Sequence, residues 1–389
     1  MTLAFHYHTP AIQINGEIFM PAYIGLFIDS IAPFFDNLIC FLHSPNDSEK
    51  NRMDYTLVSS NVSLVGLGLH TSIPKRMMNS KITAQIFKKH QSMCDLLLLR
   101  ASTPLLPIIK KTWKKPIALL LVSDATSGLD NLPQPLWRKT LIKLWAHWYS
   151  KQELKLAKKS LTIVNSQMLY NHLKNKLNNL YIIKTTTLSN NDFYHRENTC
   201  KQPKIRLIFA GRISKIKGLL DILESMAILV DEGFDLEFKL VGMIDEKDPI
   251  LSEMKEKAVV LNISDRWEYI GYRTAGENLL QEYRKSDVFV IASQSNSEGF
   301  PRTIWEAMAS SLPVVATKVS SIPMFTKGAA QLAVPKDITS LTNSLRTVLE
   351  NKQRRKEMIT MGMELAQENT LEKRAKELSE LLISKTTVV

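Results

Sequence analysis

Cysteine is scarce in this chain. Cys40, Cys94 and Cys200 are the only three in 389 residues, and they are scattered without any Cys-x-x-Cys spacing. That pattern argues against a disulfide framework and a cysteine zinc site, and it fits a reducing compartment. Long apolar runs are missing too. No stretch approaches the roughly 18 apolar residues of a spanning helix, and the longest candidates, such as Pro116 to Val122, have the length of buried strands. The segment from Met1 to His6 lacks a basic region leading into an apolar one, so no secretory signal is read and a cytoplasmic location is expected. There is no repeat of fixed period and no low-complexity tract. What is present is a hydrophobic content of 44%, ample for packed cores, on a length that suggests two domains.

Charge is unevenly placed. Residues 1–200 hold 23 Lys/Arg against 12 Asp/Glu, a net of +11, so nearly all of the chain's +12 lies in the N-terminal half. That half alternates strand and helix patterns: Thr2 to Tyr7 as a strand, Ile24 to Phe35 as a helix and Leu38 to Leu42 as a strand. Cys94 to Leu99, Ile117 to Val122 and Leu161 to Ser166 are further apolar runs, as parallel strands covered on both faces would be. Thr185 to Pro203 is polar and aperiodic and reads as a linker, and Leu371, Ala375, Leu378 and Leu382 mark an amphipathic helix at the C-terminus.

The richest segment runs from Ser297 to Ala309 and carries Glu298 and Glu306 eight positions apart. A strand-like run, Val288 to Ser293, precedes it and another, Leu312 to Thr317, follows, with Pro301 suited to a first helical turn. Glu298 then lies in a loop at a helix mouth and Glu306 inside the helix. Such a mouth favours a phosphate, whereas the carboxylates suit hydroxyls, and a nucleotide-sugar offers both. A second segment agrees. Ile205 to Gly211 reads as a buried strand running into Arg212, Lys217 and Gly218 before a helical pattern from Leu219 to Val230. Arg212 and Lys217 thus sit at the carboxyl end of a strand, where open α/β sheets bind ligands, and both suit a diphosphate. The loop is not a Walker A loop, because no Gly-Lys-Ser/Thr follows Gly211 at the required spacing.

In their order and spacing these residues resemble the family-4 (group 1) retaining glycosyltransferases. The resemblance runs from about Ile205 to the C-terminus through Gly211-Arg212, Lys217-Gly218, Val241-Gly242, Gly271-Tyr272, Ser286 to Val290 and Glu298 to Ala309. It implies an α/β chain of GT-B fold, two Rossmann-like domains with parallel sheets facing across a cleft. The domains would span 1–190 on the acceptor side and 191–369 for the nucleotide-sugar, with 370–389 a helix packing back on the N-terminal domain. By resemblance Arg212 and Lys217, after Gly211 of the same donor site, hold the diphosphate, Glu306 the ribose and Glu298 the donor sugar near the reacting carbon. Tyr272, Gly299, Phe300, Arg302 and Thr303 complete the donor site. Transfer retains anomeric configuration and needs neither metal nor cofactor, the nucleotide-sugar being a substrate. Relatives carry a His-Asp pair at the end of an N-domain strand; Asp124 matches the acid and Ser123 stands in place of the histidine. Ser320-Ser321 likewise replaces a frequent Gly-Gly.

On the acceptor side, Asn15 and Gly16 lie in a loop, Thr9 to Met20, that replaces the family's glycine-rich first loop, and His6 and His8 end the first strand. Trp137, Leu141, Leu144, Trp145 and Trp148 fall on one helical face beside Lys139, Lys143, His147, Lys151 and Lys155. Tryptophan next to lysine suits the headgroup region of an anionic bilayer, which would make the protein peripheral on the cytoplasmic face of a membrane. The other reading packs that face onto the N-terminal sheet. No nucleic-acid module is present. The sequence therefore reads as a transferase moving a sugar to a glycan or lipid-linked acceptor in cell-surface polysaccharide synthesis. The alternatives are a GT-B nucleotide-sugar epimerase and a non-catalytic sugar-nucleotide-binding subunit.

Overall fold

The structure, a computed structural model, describes residues 1–122, 129, 135–245, 248–295 and 300–386. The chain divides into a unit of Met1–Thr185 joined by the segment from Glu372, and a second unit of Thr186–Leu371. In the first, seven parallel strands stand in the order β10-β9-β8-β7-β1-β4-β6. Their ranges are β1 Thr2–Pro10, β4 Asn37–Ser44, β6 Val62–Leu69, β7 Leu96–Ala101, β8 Ile117–Leu121, β9 Leu161–Val164 and β10 Leu180–Ile182. A small antiparallel sheet of β2 Ile12–Ile14, β3 Glu17–Met20 and β5 Tyr55–Thr56 sits beside them. The second unit has six parallel strands in the order β13-β12-β11-β14-β15-β16. These are β11 Ile205–Ala210, β12 Leu236–Val241, β13 Trp267–Gly271, β14 Val288–Ile291, β15 Val314–Thr317 and β16 Ala330–Ala333.

Strand alternation builds two cores in the first unit, one on each face of its sheet. Leu3, Phe5, Leu38, Cys40, Leu96 and Leu98 point to one face, where Ile24 and Ile28 of the helix Ala22–Ile31 cover them. Ala4, Ile39, Phe41, Leu97 and Leu99 point to the other, against Phe87, Trp113 and Tyr149. The first core also takes in Ala375, Leu378 and Leu382 from the helix Leu371–Thr386. Three differences from the sequence reading stand out. The helix expected to reach Phe35 stops at Ile31 and tightens into a 3-10 turn, Ala32–Phe34, that contains Pro33. The expected Thr9–Met20 loop is instead the end of β1 followed by the β2–β3 hairpin. Asn15 (φ 52°) and Gly16 (φ 90°) form its tight turn, both with positive φ as such a hairpin demands. The third is that residues 186–203, read as a linker, are bound into the second unit. Tyr194 N–H donates to the Ala309 carbonyl at 2.8 Å, and Arg196 donates to the carbonyl of Ser286 at 2.6 Å.

The helix Leu136–Ala157 carries apolar residues on two faces. Ala146, Tyr149, Leu156 and Ala157 are buried, with Tyr149 in the second core and its ring stacked on Trp145. Trp137 (67% exposed), Leu141, Leu144 (64% exposed) and Trp148 lie on the other side and stay in solvent. Packing onto the sheet therefore uses the Tyr149 face and takes Trp145 out of the expected stripe, leaving Trp137, Leu141, Leu144 and Trp148 open. Among the described residues no helix is long and apolar enough to cross a membrane.

Because Leu382 is fully buried in the first unit's core, Leu382→Ala should destabilise that unit by about 2–5 kcal/mol. Native-state hydrogen exchange across β1 and β7 measures it, and unchanged protection there would contradict this packing.

Candidate functional site

The strand order of the second unit reverses at β11: β12 and β13 lie on one side of it and β14 to β16 on the other. Open parallel sheets bind ligands outside the carboxyl ends of the strands at such a switch. Two loops meet there. The first leaves β11 at Gly211, whose N–H donates to the Val241 carbonyl at 3.0 Å, and Ile213 N–H donates to Met243 at 2.8 Å. The approach to β12 is so close that a β-carbon on Gly242 (φ 147°) would lie 1.7 Å from the Gly211 carbonyl oxygen. The loop ends at Gly218 (φ 66°), where a β-carbon would lie 2.1 Å from the Ala292 carbonyl oxygen. No other residue type fits both the space and the left-handed backbone.

Ala292 belongs to the second loop, which leaves β14. Gln294 N–H donates to the Ile216 carbonyl at 2.8 Å, and its side-chain amide donates to Asp221 at 2.7 Å, in the first turn of the helix Leu219–Asp231. Burial raises the Asp221 carboxyl above its ordinary range. Arg212 is exposed and Lys217, in the 3-10 turn Lys215–Lys217, half-buried, so this pinned frame carries both cations at the switch point.

The helix Arg302–Ala309 follows β14. Pro301 is the residue before it, with ψ 117°, rather than part of its first turn. Arg302 and Thr303 open the helix, half-buried, and the Phe300 ring packs 4.4 Å from Trp305 and 5.3 Å from Phe325. Glu306 is only 6% exposed. Its carboxylate accepts from the Thr187 hydroxyl at 2.5 Å and from the Tyr283 hydroxyl at 3.0 Å. Tyr283 is wholly buried, and burial first, then the carboxylate, hold its phenol well above the ordinary value, so it stays a donor. Thr187 and Tyr283 carry no motif of their own in sequence. Each carboxylate oxygen keeps a lone pair for a further hydroxyl. Tyr272 is exposed just after β13, whose Gly271 carbonyl accepts from Gly242 N–H at 3.0 Å. Ser320, where the resemblance led us to expect a glycine, adopts φ 50°. Glu298, Gly299, Ser123 and Asp124 lie outside the described residues. Among the described residues no group of three or more His, Cys, Asp or Glu is arranged to hold a metal ion.

In the first unit β1 runs on to Pro10, so His6, expected at the strand's end, is fully buried in its middle. Its Nδ1–H donates to the Phe41 carbonyl at 2.7 Å, which leaves Nε2 to accept from the Thr103 hydroxyl at 2.9 Å. Thr103 N–H in turn donates to the Tyr149 hydroxyl at 3.0 Å. This histidine ties β1, β4 and the segment after β7 together. His8 is partly exposed with its ring 4.2 Å from that of Tyr7, whereas Asn15 and Gly16 stand exposed at the hairpin tip.

Comparison with known proteins agrees with this geometry. Residues 190–364 match the family described as glycosyl transferases group 1, so the second unit is a domain of that family. The fold of the whole chain is GT-B: sucrose-phosphate synthase from Thermosynechococcus elongatus superposes with a TM-score of 0.75 at 15% identity, covering 100% of both chains. Mannosylfructose-phosphate synthase of Agrobacterium fabrum is 32% identical over 111 residues, which is 28% of this chain and 24% of that protein. The amylovoran biosynthesis glycosyltransferase of Erwinia amylovora is 27% identical over 123 residues, 31% of this chain and 29% of that protein. The chain thus matches about a quarter of the length of these curated relatives.

Burial first, then the neighbouring His43, His8 and Arg76, lower His6 from 6.5 to about 3. Since the folded value lies below the unfolded one, the neutral ring contributes stability that is fully present above about pH 6.5. That stability drains away as pH falls from there toward 3. Thermal unfolding followed from pH 7.5 to 4.5 should show it, with a shallower slope in His6→Asn than in the native chain. Identical slopes would mean that His6 ionises freely.

Proposed function

We propose that this chain is a glycosyltransferase that moves a sugar from a nucleotide-sugar to a glycan or lipid-linked acceptor in cell-surface polysaccharide synthesis, with retention of anomeric configuration. The observation that carries the reading is the pair of loops joined at the β11/β14 switch point, with Arg212 and Lys217 on one and the buried Glu306 on the helix after the other. Arg212 and Lys217 would hold the diphosphate and offset the charge that grows on it as the sugar–phosphate bond breaks. Glu306, fixed by Thr187 and Tyr283, would accept from ribose hydroxyls, and Glu298 from hydroxyls of the donor sugar. The acceptor oxygen would bond the anomeric carbon on the face the diphosphate leaves, its proton passing to the departing phosphate oxygen. No metal is assigned to the transfer. Incubation with a panel of nucleotide-sugars and glycan acceptors tests the reading, and the anomeric proton coupling of the product reports retention.

Each of Arg212→Ala and Lys217→Ala should weaken nucleoside-diphosphate binding roughly ten- to hundredfold, the about 1.5–3 kcal/mol of a charge-assisted contact. Calorimetry with UDP and GDP measures it, and native affinity in both variants would sink the assignment. In the same titration Glu306→Gln should weaken the free nucleotide. Glu298→Gln should lower turnover more than nucleotide affinity, and the reverse ranking would exchange their roles.

The open stripe of Trp137, Leu141, Leu144 and Trp148 supports a peripheral place on the cytoplasmic face of an anionic membrane. Seven Lys/Arg against one acid between Arg138 and Lys159 give the helix the complementary charge. Each lysine near such a surface contributes on the order of 1 kcal/mol. Replacing Lys139, Lys143 and Lys151 with Gln should remove most binding to phosphatidylserine vesicles while leaving nucleotide affinity intact. Equal flotation with neutral and anionic vesicles, or none at low salt, would overturn this placement.

A further inference from the structure

A second switch point lies in the first unit, between β1 and β7, and its carboxyl-end rim is lined with cationic and imidazole side chains. His8 and Thr9 come from the end of β1, His43 from β4, His70 from just beyond β6 and Arg100 from β7. The strands hold them in register: Pro10 pairs with His43, Ala11 N–H donates to the His43 carbonyl at 2.8 Å, and His70 N–H donates to the Ser44 carbonyl at 2.7 Å. The His43 and His70 rings are 5.7 Å apart, and the Arg100 guanidinium lies 4.6 Å from the centre of the Tyr7 ring. Arg76, on the helix Ile73–Met78, reaches the same place, its charge acting on His6, His8 and His43.

Arg76 is the unusual member. It is only 8% exposed, yet its Nε and Nη1 have no hydrogen-bond partner among the described residues. Glu49 is the acid that bears on it, but Glu49 is already engaged. One Glu49 oxygen accepts from His70 Nδ1 at 2.6 Å and the other from Asn46 N–H at 3.1 Å. Nε2 of His43, Nε2 of His70 and Nδ1 of His8 are also buried without a partner among the described residues. Unpaired buried donors on a charged group are costly, and those of Arg76, set among imidazoles able to take up a proton, suit a ligand with several acceptor oxygens and negative charge.

We propose that Arg76, with His8, His43 and Arg100, forms an oxyanion site that holds a phosphate or carboxylate group carried by the acceptor. The word acceptor rests on the glycosyltransferase reading above; the oxyanion site itself does not. Arg supplies a planar fork matched to either group. The histidines add an adjustable part. Burial first and Arg76 second hold His8 and His43 at about 4, so both rings are neutral near pH 7. His43 then donates through Nδ1 to the Gly68 carbonyl at 3.2 Å and leaves Nε2 without a proton. An anion beside Arg76 removes the repulsion and favours the protonated ring, whose Nε2 then donates to the anion. The site so accommodates a second negative charge at the cost of one proton taken up.

The test uses the full chain, saturated with UDP so that the switch-point loops of the second unit are occupied, and titrated with inorganic phosphate and separately with glucuronate. Imidazole resonances of His43 and His8 are followed by NMR. At least one of the two anions should shift His43 saturably toward the protonated position and perturb the His8 ring in parallel, and the one acting at lower concentration names the acceptor's group. Arg76→Gln should weaken that response about tenfold or more, and Arg76→Lys less, with UDP affinity unchanged in both. No saturable shift with either anion in the native chain would overturn the proposal, as would an equal response in a folded Arg76→Gln. Failure of UDP binding would strike the donor reading instead. In that case the anion titration, run without nucleotide on Arg212→Ala, still decides the oxyanion site.

Discussion

The backbone of Gly242 passes so close to the carbonyl of Gly211 that a single added carbon would overlap it, at 1.7 Å from the oxygen. Gly218 meets the Ala292 carbonyl in the same manner at 2.1 Å. These two contacts draw three strand ends, those of β11, β12 and β14, into one rim and let the loop after β11 be held by backbone hydrogen bonds on both sides. Arg212 and Lys217 then have a fixed base although they stand on a loop. Charges on a loop free to move would lose entropy on meeting a diphosphate, and the glycine contacts remove much of that loss before any ligand arrives.

The same economy governs the buried carboxylate. Glu306 is placed by a short helix, but it is the hydroxyls of Thr187 and Tyr283 that make its burial tolerable. Thr187 comes from the stretch just after the unit boundary, which is therefore part of the site's support. In the first unit the analogous rim is built from imidazoles and guanidiniums and carries few acids. One GT-B chain thus has two rims of different chemistry, each at the place where its strand order reverses.

Much of this was legible in the sequence where local pattern and function coincide. Apolar runs marked β1, β4, β7, β8 and β9, and the Gly211, Arg212, Lys217, Gly218 and Glu306 positions stood out by spacing. What escaped depends on contacts distant in sequence. Thr187 lies 119 residues from Glu306, and no local signal pairs them. Strand β6, with Gly66 and Gly68 in its run and its neighbours only half-buried, lacks the continuous apolar signature of the inner strands. The helix Leu136–Ala157 defeated periodicity for another reason. Apolar residues on opposite faces make two competing stripes, and only the packing of Tyr149 shows which one the sheet takes. Arg76 was invisible because an arginine next to Lys75 in a helix of only six residues reads as a surface charge until burial is known.

The measurement closest to the central claim is a titration of UDP or GDP into the isotopically labelled full chain, followed through backbone amide resonances. If the glycine-pinned switch point is the nucleotide site, the shifts will centre on Gly211 to Gly218 and on Ala292 to Gln294, with the Thr187 and Tyr283 neighbourhood of Glu306 moving alongside. Saturable binding whose shifts fall elsewhere, with these amides unmoved, would contradict the account.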